Sequence, residues 1–118
     1  MQLKTKIGID LVYLPKYRKL VDNQQFLDKI LTKNEQFLLN QLNNPRRKLE
    51  FLCGRYASKE AYAKALKVGI GEIDFLDFEV LKTITGQPKC SLDNVEISIS
   101  HDHNYVIAIV MVGESNGS

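Results

Sequence analysis

From Asn44-Pro45 to about Leu66 or Lys67 the chain reads as one long helix, and this segment constrains the fold more than any other. A polar N-cap followed by Pro at the first helical position marks its start. Projected at about 100° per residue, Leu49, Leu52, Cys53, Tyr56 and Ala63 fall in one arc, while Phe51, Tyr62 and Leu66 lie off it. A helix that is apolar on nearly every side has to be covered by more than one layer, or by another subunit. Glu60 projects into the same arc, beside Leu49 and Cys53. A carboxylate there is costly without a compensating partner.

The flanking segments set the class. KIGIDLVYL (6–14), closed by Pro15, reads as a strand with Gly8, Asp10 and Val12 on one face and Ile7, Ile9 and Leu11 on the other. The basic stretch from Pro15 to about Asp22 reads as a short helix or turn, and FLDKIL (26–31) continues helically. Thr32-Lys33-Asn34-Glu35 has capping-box spacing and opens a helix through FLLNQL to about Leu42. After the helix stop at Gly69-Ile70-Gly71 the period changes to two. FLDFEVLKT (75–83), a turn at Gly86-Gln87-Pro88, EISIS (96–100), a turn at HDHN (101–104) and YVIAIVMV (105–112) read as antiparallel strands. The order of strand, helices, then strands predicts an α+β fold.

With 118 residues the chain suits a single domain, 1–112, followed by a small polar tail, 113–118, that reads as flexible. A net charge of only +2 gives no argument for nucleic acid or a membrane surface. Neither a signal peptide nor a transmembrane stretch is visible, because Asp10 breaks the first apolar run. Cys53 and Cys90 lie far apart without metal-ligand spacing, as expected of reduced thiols in a cytoplasmic protein.

Asp10 and Glu60 are two carboxylates, each out of place in its own apolar element. One explanation is local: Glu60 and Lys64 have the favourable order for an ion pair across one helical turn. The other joins the two residues, since carboxylate oxygens with water and substrate phosphates are the ligands Mg²⁺ prefers. Around them the helix is basic, with Arg46, Arg47, Arg55, Lys59, Lys64 and Lys67 spread over several faces. Such residues are either a solvated surface or the contacts of a phosphorylated ligand crossing the helix. Gly69 and Gly71 serve as an ordinary helix stop or allow close backbone approach to a ligand. His101 and Asp102 stand at a strand end in SISHD, as turn residues or as part of a site; His103 has no comparable context.

GIDLVYL with Asp10, FLCGRYASKEAYAKAL with Glu60, the GIG turn, GQP and SISH together resemble the holo-acyl-carrier-protein synthases, the small bacterial phosphopantetheinyl transferases. The resemblance runs from about residue 7 to residue 112. It implies transfer of 4′-phosphopantetheine from coenzyme A to a serine of apo acyl carrier protein, with adenosine 3′,5′-bisphosphate as co-product. It also implies a homotrimer with active sites in clefts between subunits, which would cover the long apolar helix. By resemblance Asp10 and Glu60 hold Mg²⁺, and Lys64 contacts the pyrophosphate and the leaving group. Arg55 with Arg46 or Arg47 surrounds the 3′-phosphate. Gly69, Gly71 and Pro88 bring backbone to the nucleotide, and His101 lies near the phosphates. Lys16, Arg18 and Lys19 match the basic region that docks the carrier.

Three positions depart from the commoner family pattern: Lys67 for Gly, Asp102 for Thr, and Lys16 for Arg. The general base for the serine stays open between Glu60, Asp10 acting through water, and a metal-bound water. Two other functions use parts of the same pattern. A magnesium-dependent phosphohydrolase would use both carboxylates without a protein acceptor. A carrier-binding module would keep the basic residues and not need the carboxylates.

Overall fold

A computed structural model describes residues 5–67 and 74–114. Strand β1 (Lys6–Tyr13) leads through two short 3-10 turns, Leu14–Tyr17 and Leu20–Asp22, into helices α1 (Gln24–Ile30), α2 (Lys33–Asn40) and α3 (Pro45–Ala65). Strands β2 (Val80–Lys82), β3 (Pro88–Cys90), β4 (Val95–Asp102) and β5 (Tyr105–Val112) follow. The α+β order is the expected one.

Local signals account for most boundaries. Asn44 caps α3 by accepting from the amides of Arg46 and Arg47, with Pro45 at the first helical position. Thr32 and Glu35 form the full reciprocal capping box of α2. Helix α3 ends at Ala65, and Lys67 takes a left-handed φ of 58°, the conformation in which helices usually end on glycine. The predicted stop glycines, Gly69 and Gly71, lie outside the described residues, as do positions 115–118 of the tail. Gly113 is tied by hydrogen bonds to Asn94 in both directions.

The long strand expected over 75–83 is shorter: only Val80–Lys82 pairs, with β3. Residues ahead of it find backbone partners in a local turn and in the side chains of Lys59, Asp74 and Ser91, so a ladder is not required there.

β1, β5 and β4 form an antiparallel sheet in that order, while β2 and β3 form a separate two-stranded sheet. Register places Gly8, Asp10 and Val12 beside Val110, Ala108 and Val106, and these beside Ile97, Ile99 and His101. This face lies on α3. The helix runs opposite to β1: Gly8 abuts Ala61 and Ala65, while Val12 and Leu14 cluster with Ala57, Cys53 and Leu49. On its other side α3 is covered by α1, α2 and Phe75, through Leu27, Ile30, Leu31, Leu39 and Leu52.

The all-round apolar helix is therefore satisfied inside one subunit, which corrects the reason given for expecting a partner chain. The uncovered apolar surface is elsewhere. Ile7, Ile9, Leu11, Tyr13, Tyr105, Ile109 and Met111, on the far face of the sheet, are between 43% and 61% exposed.

Candidate active site

Gly8 determines where Asp10 lies. A Cβ at Gly8 would stand 1.8 Å from the Ala61 carbonyl oxygen, so only glycine lets β1 come this close to α3. Asp10, the next residue on that face, faces the C-terminal part of α3, which carries Glu60 and Lys64. Lys64 Nζ donates to Asp10 Oδ1 at 2.8 Å. The cation thus bonds across to the strand carboxylate. None of the ion pairs among the described residues involves Glu60, so the local Glu60–Lys64 explanation does not hold. Glu60 is buried beside Tyr56, whose phenol is pushed up by burial and by the Glu60 charge.

The donor set fits the metal the resemblance implies. Lys64 engages one oxygen of Asp10 and leaves Oδ2, and Glu60 supplies a second carboxylate from the facing element. No group of three or more His, Cys, Asp or Glu clusters among the described residues. A divalent cation held by these two carboxylates would take its remaining ligands from water and phosphate, the habit of Mg²⁺.

A second group lies on the opposite flank of α3. A cleft of about 310 Å³ is lined by Arg47, Phe51 and Arg55 of α3, by Lys82, Gly86 and Pro88 of the β2–β3 hairpin, and by His101. It brings together Arg47, Arg55, Pro88 and His101 of the expected nucleotide residues. Gly86, at φ 88°, makes the hairpin turn. Asp10 and His101 stand on opposite edge strands of the sheet, with β5 between them. One chain does not bring the carboxylates and the cleft together.

Several expected roles change. Arg46 is turned away from the cleft: it bonds Glu50, the His103 carbonyl and Asn104, bracing the β4–β5 turn. Arg55 is buried over the Phe51 ring and donates to the carbonyls of Val80 at 2.9 Å and Leu81 at 3.0 Å. Burial lowers its pKa to about 10, against the favourable charge of Glu35. Lys59 is fully buried and paired with Glu35 at 2.7 Å, so it is no surface cation. Desolvation pulls its pKa down and Glu35 opposes that. Its position was readable, since Lys59 projects beside Leu52 and Leu66 as plainly as Glu60 projects beside Cys53. Asp102 bonds His103 Nδ1 at 2.7 Å on the outer face. Lys16, Arg18 and Lys19 are all exposed in the turns after β1.

Residues 6–110 match the 4'-phosphopantetheinyl transferase superfamily, and the chain belongs to it. Within that class its relatives are holo-[acyl-carrier-protein] synthases. The enzyme of Geobacillus sp. (strain WCH70) is 42% identical over 90% of this chain and 93% of its own length. That of Anoxybacillus flavithermus is 44% identical over 90% and 92%. The structure of the Bacillus anthracis synthase in complex with CoA (3',5'-ADP) superposes with a TM-score of 0.83 at 39% identity, covering 93% of this chain and 96% of that one. The Helicobacter pylori synthase in complex with coenzyme A gives 0.77 at 34% identity, covering 91% and 99%.

Proposed function

We propose that this chain transfers 4′-phosphopantetheine from coenzyme A to a serine of apo acyl carrier protein, in fatty acid biosynthesis. Residues 1–112 act as one transferase domain. The observation that carries the reading is the Gly8 contact, which presses the Asp10 strand onto the helix bearing Glu60 and Lys64. Such a joint has no structural need for two carboxylates, but a pyrophosphate-bound divalent cation does.

In the reaction the serine oxygen forms a bond to the β-phosphorus, and the bond from that phosphorus to the bridging oxygen breaks. Adenosine 3′,5′-bisphosphate leaves with the bridging electron pair, and the serine proton is released to solvent. Mg²⁺, when bound, acts as a Lewis acid on the pyrophosphate. Asp10 and Glu60 would hold it. Lys64, fixed by Asp10, places a positive charge beside the oxygen that gains charge as the bond breaks. Arg47 and the outward edge of Arg55 face the cleft as phosphate contacts, with Pro88 and the hairpin backbone against the nucleotide and His101 at its mouth. Lys16, Arg18 and Lys19 dock the acidic carrier.

Because the carboxylates and the cleft occupy opposite edges of the sheet, a complete site combines the two halves from neighbouring subunits. The exposed apolar sheet face supports a homotrimer as the assembly that brings them together. Among the described residues no helix is long and apolar enough to cross a membrane. With two free thiols, we place the enzyme in the cytoplasm.

The test is to incubate the protein with coenzyme A, Mg²⁺ and apo carrier, then weigh the carrier. Gain of the phosphopantetheine mass supports transfer, and its abolition in Asp10→Asn or Glu60→Gln supports the carboxylate roles. Consumption of coenzyme A without a change in carrier mass would make the chain a phosphohydrolase.

A further inference from the structure

Glu35 and Lys59 are both fully buried, and neither belongs to the two groups that meet substrate. Their bonds reach four backbone groups in separate stretches of chain. Lys59 Nζ donates at 2.7 Å to the carbonyls of Ile30 and Phe75 and to Glu35 Oε1. Glu35 Oε1 also accepts from the Thr32 amide at 2.9 Å, and Oε2 accepts from the Val80 amide at 2.7 Å. One helical turn earlier, Arg55 holds the carbonyls of Val80 and Leu81. Outside this core, Thr32 Oγ1 donates to Glu79, which braces the same stretch from the solvent side.

The backbone from Phe75 to Leu81 is thus held to α2 and α3 by side chains. The β2–β3 hairpin that grows from it forms its own sheet, separate from the three-stranded one. Yet this hairpin supplies Lys82, Gly86 and Pro88 to the cleft wall facing α3. A buried ion pair adds little stability over apolar residues of similar volume. What an apolar pair cannot do is bond these backbone groups at fixed lengths.

We propose that the Glu35–Lys59 pair is a positioning device, which fixes the root of the β2–β3 hairpin against α3 and so sets the width of the coenzyme cleft. This rests on reading that cleft as the nucleotide site. The pair acts first on coenzyme binding, since the Asp10–Lys64 joint and the carrier-docking turn of the same subunit lie on the other flank of α3.

Steady-state kinetics on Lys59→Met, Glu35→Gln and the double variant test this, with both substrates varied and thermal melts on the same samples. The expected result is a KM for coenzyme A raised about tenfold, with carrier KM and kcat retained, because the wall holds the nucleotide equally in ground and transition states and loosening it removes only that uniform binding. Binding of adenosine 3′,5′-bisphosphate by calorimetry weakens to the same degree. Should the core variants fold poorly, Glu79→Ala removes the outer brace at a half-buried position and shifts the coenzyme KM in the same direction. Leu49→Ala, in the cluster under β1, is the control: it lowers the melting temperature and leaves the coenzyme KM unchanged. An unchanged coenzyme KM in the pair variants, or an equal rise for both substrates, overturns the proposal. Arg47→Ala separates it from the cleft assignment. If Arg47→Ala raises the coenzyme KM and the pair variants do not, only the positioning role falls; if Arg47→Ala has no effect, the cleft reading falls and the proposal with it.

Discussion

Gly8→Ala is the sharpest probe of how this fold builds its site. The added Cβ would lie 1.8 Å from the Ala61 carbonyl oxygen and 2.7 Å from the Ala65 amide nitrogen. Real Cβ atoms essentially never come under 3.0 Å, so β1 and α3 must separate by about 1.2 Å, the difference between 3.0 and 1.8. Both obstacles are helix backbone, so no side chain can swing aside. β1 is an edge strand and can shift as a unit, carrying Asp10 with it. Overpacking of this kind costs about 1–3 kcal/mol. At about 4 °C per kcal/mol for a chain of this size, the melting temperature falls by about 4–12 °C. Displacing Asp10 by about an ångström from Glu60 and Lys64 lowers kcat by about a hundredfold. The measurements are thermal melts and carrier mass gain at saturating coenzyme A, under conditions where the variant is fully folded. Wild-type turnover in a folded Gly8→Ala protein would refute the reasoning, because it would mean that the closeness of β1 to α3 does not set the site. A lowered melting temperature with kcat retained would confine the role of Gly8 to packing.

Ile9→Glu or Leu11→Glu, on the uncovered sheet face, should give folded monomers without transfer activity; sedimentation showing fully active monomers would sink both the trimer and the shared site. Reversing Lys16 and Arg18 together to Glu should raise the carrier KM and leave that for coenzyme A nearly untouched, with a penalty that shrinks as salt rises; equal losses for both substrates would argue against docking there. Lys67→Gly should stabilise the protein by about 1 kcal/mol in chemical denaturation, since Lys67 holds a φ of 58° that glycine adopts freely. Burial raises the Cys53 thiol from 9.0 to about 12, so its contribution to stability is complete below pH 9 and is lost as pH rises toward 12, where the unfolded thiol ionises first. The wild type should therefore lose stability more steeply over that range than Cys53→Ala, and parallel curves would disprove it; Arg55, shifted the opposite way, is common to both chains.

Short-range chemistry made much of this protein legible from its sequence. The Thr32–Glu35 capping box, the Asn44-Pro45 start and the alternation of β1 and β5 are settled by residues within a turn or a pleat of each other, so local reading suffices. The two misplaced carboxylates, Asp10 and Glu60, were visible for the same reason: each violates the pattern of its own element. Choices of partner across the fold were not legible. Lys64 could reach Glu60 on its own helix or Asp10 on β1, and only the close seating of β1 decided for Asp10. Lys59 projects among apolar residues of α3, but that its partner is Glu35 was decided only by the packing of α1 and α2. Residues 75–79 carried a strand pattern, but Lys59 of α3 took the Phe75 carbonyl, while Asp74 and Ser91 took the amides of Leu76 and Glu79. The expectation of a partner subunit was argued from α3, whereas the apolar surface left exposed lies on the outer face of the sheet. A periodic sequence states which surfaces of an element are apolar; which of them remain uncovered depends on the layers that long-range contacts bring over each one, and those contacts leave no periodic mark in the chain.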